Sequence, residues 1–146
     1  MTQAKINTTN VFHKAYRSET RITCLQGGTR SSKTYSLCQL FIVKCLEETG
    51  KVYSIIRKTL PACKGSVYRD FINILKDLEL YTQDHHNKSE LSYNLNGNLV
   101  EFLSVDNPAK LRGRKRHYAW LNETTEFTYE DFQQIIFRTQ DKIYLD

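Results

Sequence analysis

Arg21-Ile22-Thr23-Cys24-Leu25-Gln26-Gly27-Gly28-Thr29-Arg30-Ser31-Ser32-Lys33-Thr34 is the stretch that decides how this chain folds. Its first six residues are short and β-prone, and they stop abruptly at Gly27-Gly28, as a strand does when it enters a tight loop. From Lys33 onward Leu37, Leu40, Phe41, Lys44 and Cys45 recur at helical spacing, and Thr49-Gly50 supplies a stop. That spacing predicts a helix of about four turns over Lys33 to Glu48. The run Lys51 to Ile56 (KVYSII) predicts a second strand. Strand, loop, helix and strand in this order make a βαβ unit, for which a right-handed crossover and parallel pairing of the two strands are expected.

The loop carries chemistry. Phosphate-binding loops read G-x-x-x-x-G-K-[ST], and Gly27-Gly28-Thr29-Arg30-Ser31-Ser32-Lys33-Thr34 fits, with Ser32 in the place of the second glycine. Such a loop wraps backbone N–H groups around phosphate at a helix N-terminus whose dipole favours an anion. Lys33 would reach the β- and γ-phosphates and Thr34 would hold Mg²⁺. The rival reading is an ordinary strand-to-helix turn. The setting favours the phosphate loop, because the motif requires a strand before it and a helix after it.

A nucleotide hydrolase also needs an acidic group at the end of a neighbouring buried strand. Ala119-Trp120-Leu121-Asn122-Glu123 supplies one about ninety residues on, with Glu123 as candidate general base. Asn122 stands where an aspartate is usual; it can accept a water ligand of Mg²⁺ but brings no negative charge. The rival here is a helix-capping cluster of Asn122, Thr124 and Thr125.

Further elements surround these. Residues up to about Glu19 form a short helix or arm around Val11, Phe12, Ala15 and Tyr16. Ser66 to Leu80 has helical period with Ser66 as N-cap, and Asn96-Gly97 between two β-type runs predicts a type I′ hairpin. HYAWL precedes Asn122, Thr128 caps a helix to Arg138 with Asp131 three residues on, and KIYLD is a last strand. The expected fold class is α/β: a P-loop NTPase, three-layer α/β/α, with a mainly parallel central sheet plus a β-hairpin. A strand at the very end of the chain suggests a piece of a longer protein.

Length and composition agree with one soluble domain: 146 residues, 40% hydrophobic and 25% charged. No apolar run is long enough to span a bilayer and the first residues have no secretory-signal core, so a cytoplasmic protein is expected. Cys24, Cys38, Cys45 and Cys63 show no C-x-x-C spacing and read as reduced, mostly buried thiols, and His85-His86 read as a solvated turn rather than a metal site. The net charge of +5 is concentrated in Lys110, Arg112, Arg114, Lys115, Arg116 and His117, with a looser group at Arg57, Lys58 and Lys64. These are solvated charges or a grip for a polyanion.

Taken together, GGTRSSKT, the segment from Ile55 to Phe71 (IIRKTLPACKGSVYRDF), Asn96 to Asp106 (NGNLVEFLSVD), KLRG at Lys110 to Gly113, WLNETTEF at Trp120 to Phe127 and the closing KIYLD resemble the N-terminal ATPase domain of the large terminase subunit of tailed bacteriophages. The resemblance implies hydrolysis of ATP with Mg²⁺, driving double-stranded viral DNA into a procapsid in the host cytoplasm. It implies a γ-phosphate-sensing role for Arg30 and a role for Arg112 at the neighbouring subunit's nucleotide, both as charge stabilisers in catalysis beside Lys33 and Glu123. Lys110, Arg114, Lys115 and Arg116 would grip DNA phosphates without reading sequence. The implied partners are DNA, the portal protein, the small terminase subunit and further copies in a ring of five, with this piece alone a monomer of feeble turnover. Residues 1–146 would be the ATPase domain, with an Asn-containing coupling segment and a ribonuclease-H-like nuclease domain beyond it, so nuclease activity is not expected of these residues. A helicase-like P-loop ATPase and a nucleotide- or DNA-binding module without turnover are the alternatives.

Overall fold

The computed structural model describes residues 6–27, 32–113 and 115–146. Along the chain run α1 (Asn10–Arg17), β1 (Ile22–Cys24), α2 (Lys33–Glu47), β2 (Val52–Arg57), α3 (Leu60–Gly65), α4 (Val67–Asp77), β3 (His86–Asn87), β4 (Ser92–Leu95), β5 (Asn98–Ser104), α5 (Pro108–Arg112), β6 (Arg116–Leu121), α6 (Tyr129–Phe137) and β7 (Thr139–Leu145). The strands form one sheet in the order β1-β7-β6-β2-β5-β4-β3. The first five in that order are mutually parallel, and β4 and β3 extend the sheet as antiparallel strands.

The period-two alternation of strand side chains divides the core between two faces. Tyr53 and Ile55 of β2, Val100 and Phe102 of β5, Tyr118 and Trp120 of β6 and Tyr144 of β7 join α1, α2 and α4 in the larger cluster. Ile56, Leu103, Ala119, Leu121 and Ile143 face the other way, against Leu111 of α5 and Ile135 of α6. The result is the expected three-layer sandwich. Phe41 of α2 fixes the helix over the sheet through edge contacts with Tyr53, Trp120 and Tyr144, at ring centroid distances of 5.4, 5.7 and 5.7 Å. The N-terminus of α2 is thereby held at the C-terminal ends of β6 and β7, where open parallel sheets bind ligands.

One expectation about pairing fails. The strands flanking the loop and α2 are parallel members of one sheet, but β7 and β6 lie between them. β1 is three residues long and mostly exposed, suited to an edge. β2 and β6 carry near-continuous buried runs, which are stable only in the middle of a sheet covered on both faces.

The Asn96-Gly97 turn has both residues at positive φ, +54° and +78°, as a type I′ hairpin requires. It also does a second job. Asn98 Nδ2 donates to the carbonyls of Cys45 at 2.9 Å and Glu48 at 2.8 Å, and its Oδ1 accepts from Lys51 N at 3.0 Å. The hairpin therefore closes the C-terminal end of α2, whose last carbonyls have no partner within the helix. A side chain at position 97 would collide with Thr49, whose Oγ1 lies 2.5 Å from where a Cβ would stand. Asn98→Ala is expected to destabilise the fold by about 2 kcal/mol, because the side chain is fully buried and its loss strands several backbone groups. Chemical denaturation with an unchanged m-value would check this.

Two local expectations change. Ser66 is not a side-chain N-cap of α4: its hydroxyl donates to Ala62 O at 2.6 Å and accepts from Arg57 Nη1, tying an extra short helix, α3, to the end of β2. His86 is not in a solvated turn. It is half-buried in β3, and its ring nitrogens meet the hydroxyls of Tyr68 and Tyr81, while burial and the nearby Lys88 and Lys76 lower its pKa from the ordinary value. By contrast, Thr128 and Asp131 form the capping box that their spacing predicts. Among the described residues no helix is long and apolar enough to cross a membrane.

Candidate nucleotide site

The site begins with a backbone constraint. Ser32, the residue in the second glycine's place, has φ +59° and ψ +24°, a left-handed conformation that glycine adopts without the Cβ penalty. This geometry explains why the pattern favours glycine there, and serine tolerates it at a cost of about 1 kcal/mol. α2 starts at the next residue. Lys33 Nζ donates to Gly27 O at 3.0 Å, folding the side chain back across the loop. Thr34 points its hydroxyl at the end of β7, donating to Asp146 Oδ2 at 3.3 Å.

β6 delivers the acidic side. After Leu121 the chain leaves the strand through Asn122, which is buried, and Glu123, which has φ +58° and ψ +62°. A non-glycine residue in this region is strained by about 1 to 2 kcal/mol and needs its surroundings to hold it. Here Glu123 N donates to Asp146 Oδ1 at 2.9 Å, and Thr124 N donates to Asp146 O at 2.8 Å. The rival capping role is not what Asn122, Thr124 and Thr125 do, since α6 is capped by Thr128 and Asn122 Nδ2 is directed to Asp146. Lys33, Thr34, Glu123, Asp146, Gly27 and Ser32 all line one open cleft of about 740 Å³, together with Asp70 and Tyr35.

Other residues singled out in the sequence lie elsewhere. Gly28, Thr29, Arg30 and Ser31 of the loop and Arg114 of the basic run fall outside the described residues. Arg116 is fully buried and has no face to offer DNA, which corrects its assignment to a DNA grip. Its Nε donates to Ser54 Oγ at 2.9 Å and an Nη to Leu111 O at 2.6 Å, while Ser54 donates to Glu101 at 2.6 Å; burial lowers the guanidinium pKa and Glu101 opposes the shift. This buried arginine ties β6 to β2 and α5. Lys110 is paired with Glu90 at 3.2 Å, and of the looser basic group Arg57 pairs with Glu126 at 3.1 Å and Lys58 with Asp131 at 2.8 Å.

Arg112 and Lys115 remain exposed and share a groove with Arg138, Gln134 and Phe137. They precede β6, whereas Glu123 follows it, so they lie roughly 20 Å from the cleft, at the opposite ends of the strands. Arg112 therefore has no reach to the nucleotide cleft of its own chain.

Asp146 was not among the residues the sequence singled out. It belongs to no short motif, and its place becomes visible only because β7 pairs with β6 in the register Leu121 with Leu145. The Thr34 hydroxyl and the Asp146 carboxylate are hard oxygens of the kind that suit Mg²⁺, whereas Asn122 turns its amide nitrogen toward both, which corrects its assignment as a water-mediated metal ligand.

The parallel sheet, the helix that starts at Lys33 and the acidic strand end beside it define a P-loop NTPase fold. The sequence model of the phage terminase large subunit family matches residues 19–144. This chain belongs to that family. The PBSX phage terminase large subunit of Bacillus subtilis (strain 168) is 30% identical over 116 residues, covering 78% of this chain and 27% of its own length. The large terminase of a thermophilic bacteriophage in complex with ADP superposes with a TM-score of 0.74 at 15% identity, over 95% of this chain and 38% of that one. The large terminase ATPase domain of Thermus phage P74-26 does so with a TM-score of 0.73 at 14% identity, over 96% and 64%. The chain thus spans about a quarter of the length of the PBSX relative.

Proposed function

We propose that this chain binds ATP in the cleft at the N-terminus of α2 and hydrolyses it as the ATPase domain of a large terminase, within a longer protein that moves double-stranded viral DNA into a procapsid. The observation that carries this reading is that Lys33, Thr34 and Glu123, from two distant parts of the sequence, line the same cleft. The ADP complex of the thermophilic phage terminase, which shares the fold, supports a nucleotide as the occupant.

In this reading the amides at the start of α2 and the Lys33 ammonium take the β- and γ-phosphates, and Lys33 exchanges its contact with Gly27 O for a phosphate oxygen. Glu123 orients a water for in-line attack; its left-handed backbone aims the carboxylate out of the strand into the cleft. Thr34 and Asp146 would hold Mg²⁺, with Asn122 donating to Asp146, and the ion would supply charge neutralisation at the phosphates. Arg30 would sense the γ-phosphate. Arg112, remote from its own cleft, would act only on a neighbouring subunit's nucleotide, so turnover would need a ring of copies on the portal, with the small terminase subunit delivering DNA. Lys115 and Arg138, which line the same exposed groove as Arg112, would offer charges to DNA phosphates.

Phosphate release by the longer terminase with MgATP, in the presence and absence of double-stranded DNA, tests this. Turnover is expected to rise with DNA, and the stimulation to fall steeply between about 50 and 200 mM salt. ATP binding with no phosphate release under any of these conditions would make the domain a nucleotide-binding module instead.

A further inference from the structure

The cleft has its carboxylate in an unexpected place. At the end of β6, where a metal-side acid is needed, stands neutral Asn122; on the adjacent strand, one residue beyond the Leu121–Leu145 pair, stands Asp146. Its carboxylate oxygens accept from Asn122 Nδ2 at 3.2 and 3.1 Å, from Glu123 N at 2.9 Å and from the Thr34 hydroxyl at 3.3 Å.

We infer that Asp146 is the metal-side carboxylate of this site, displaced by one strand, with Asn122 as the amide that orients it. The inference rests on the nucleotide reading above and deepens it. Its chemistry follows from the contacts. Mg²⁺ is held by one or two carboxylate or hydroxyl oxygens together with phosphate and water, and two oxygens adjacent on such an ion lie about 3 Å apart. Thr34 Oγ1 and Asp146 Oδ2 are already near that separation, at 3.3 Å.

The asparagine is the complement of this arrangement. An aspartate at 122 facing Asp146 at about 3 Å would put two like charges together, and one of them would have to be neutralised. An amide in that position instead donates a hydrogen bond and leaves the full charge on Asp146. The same carboxylate holds the backbone of Glu123, so one side chain sets both the metal side and the aim of the candidate base.

The test is equilibrium binding of ATP, in excess Mg²⁺ and in EDTA, to the wild type, Lys33→Ala, Asp146→Asn and the exchange variant Asn122→Asp/Asp146→Asn. Mg²⁺ is expected to tighten wild-type binding about tenfold, Asp146→Asn to reduce that gain to about twofold or less while keeping the EDTA affinity, and the exchange variant to recover it. A full Mg²⁺ gain in Asp146→Asn, or none in the wild type, overturns the inference. If Asp146→Asn does not fold, as judged by its melting transition, the exchange variant decides, and loss of the Mg²⁺ gain there overturns it. Failure of the nucleotide reading looks different: the wild type would bind no ATP in either condition, or Lys33→Ala would bind as tightly as the wild type.

Discussion

Replacing Glu123 by glutamine is expected to lower ATP turnover about a thousandfold while leaving ATP affinity within about twofold, because a positioned general base contributes on the order of 10²- to 10⁴-fold to rate and little to ground-state binding. The substitution preserves shape and removes only the basic oxygen. The backbone hydrogen bond from residue 123 to Asp146 does not involve the side chain, so the left-handed turn should survive. Rate and affinity measured on the same preparation separate a lost base from a lost fold. A turnover rate unchanged by Glu123→Gln would remove Glu123 from the mechanism and leave Asp70 and Asp146 as the other carboxylates lining the cleft.

Lys33→Ala has the opposite signature, a loss of binding. Its ammonium is the cation the described part of the loop brings to the phosphates, and a charge-assisted contact of this kind is worth about 2 to 3 kcal/mol, or about a hundredfold in affinity for ATP. The effect on folding should be small, since among the described residues Lys33 Nζ makes a hydrogen bond to the carbonyl of Gly27 at an exposed site. Titration calorimetry with ATP, alongside a thermal melt, distinguishes the two. Equal affinity in the variant would move the triphosphate away from the start of α2.

Much of this site was legible in the sequence because local chemistry wrote it there. The strand that stops at Gly27-Gly28, the helical spacing from Lys33 and the apolar run ending in Asn122-Glu123 each follow from short-range pattern, and the structure brings Lys33, Thr34 and Glu123 to one cleft. Asn96-Gly97 and the Thr128–Asp131 capping box were equally readable, because positive φ and a three-residue spacing belong to the local sequence.

What could not be read depends on strand order. Short β-prone runs say that β1 and β2 are strands but not that β7 and β6 come between them. That insertion is what places Asp146 against Asn122, so the carboxylate stayed invisible. Arg116 shows the same limit from the other side. Within a basic run it looks solvated, and its burial depends on Ser54, 62 residues away, meeting it across the β2–β6 pair.

The most direct measurement is a crystal structure with a non-hydrolysable ATP analogue and Mg²⁺. The account predicts the β- and γ-phosphates against the amides at the start of α2, Lys33 Nζ moved from Gly27 O to a phosphate oxygen, and the Glu123 carboxylate facing the γ-phosphate. An analogue bound elsewhere, with the start of α2 free of phosphate and Glu123 turned out of the cleft, would contradict it.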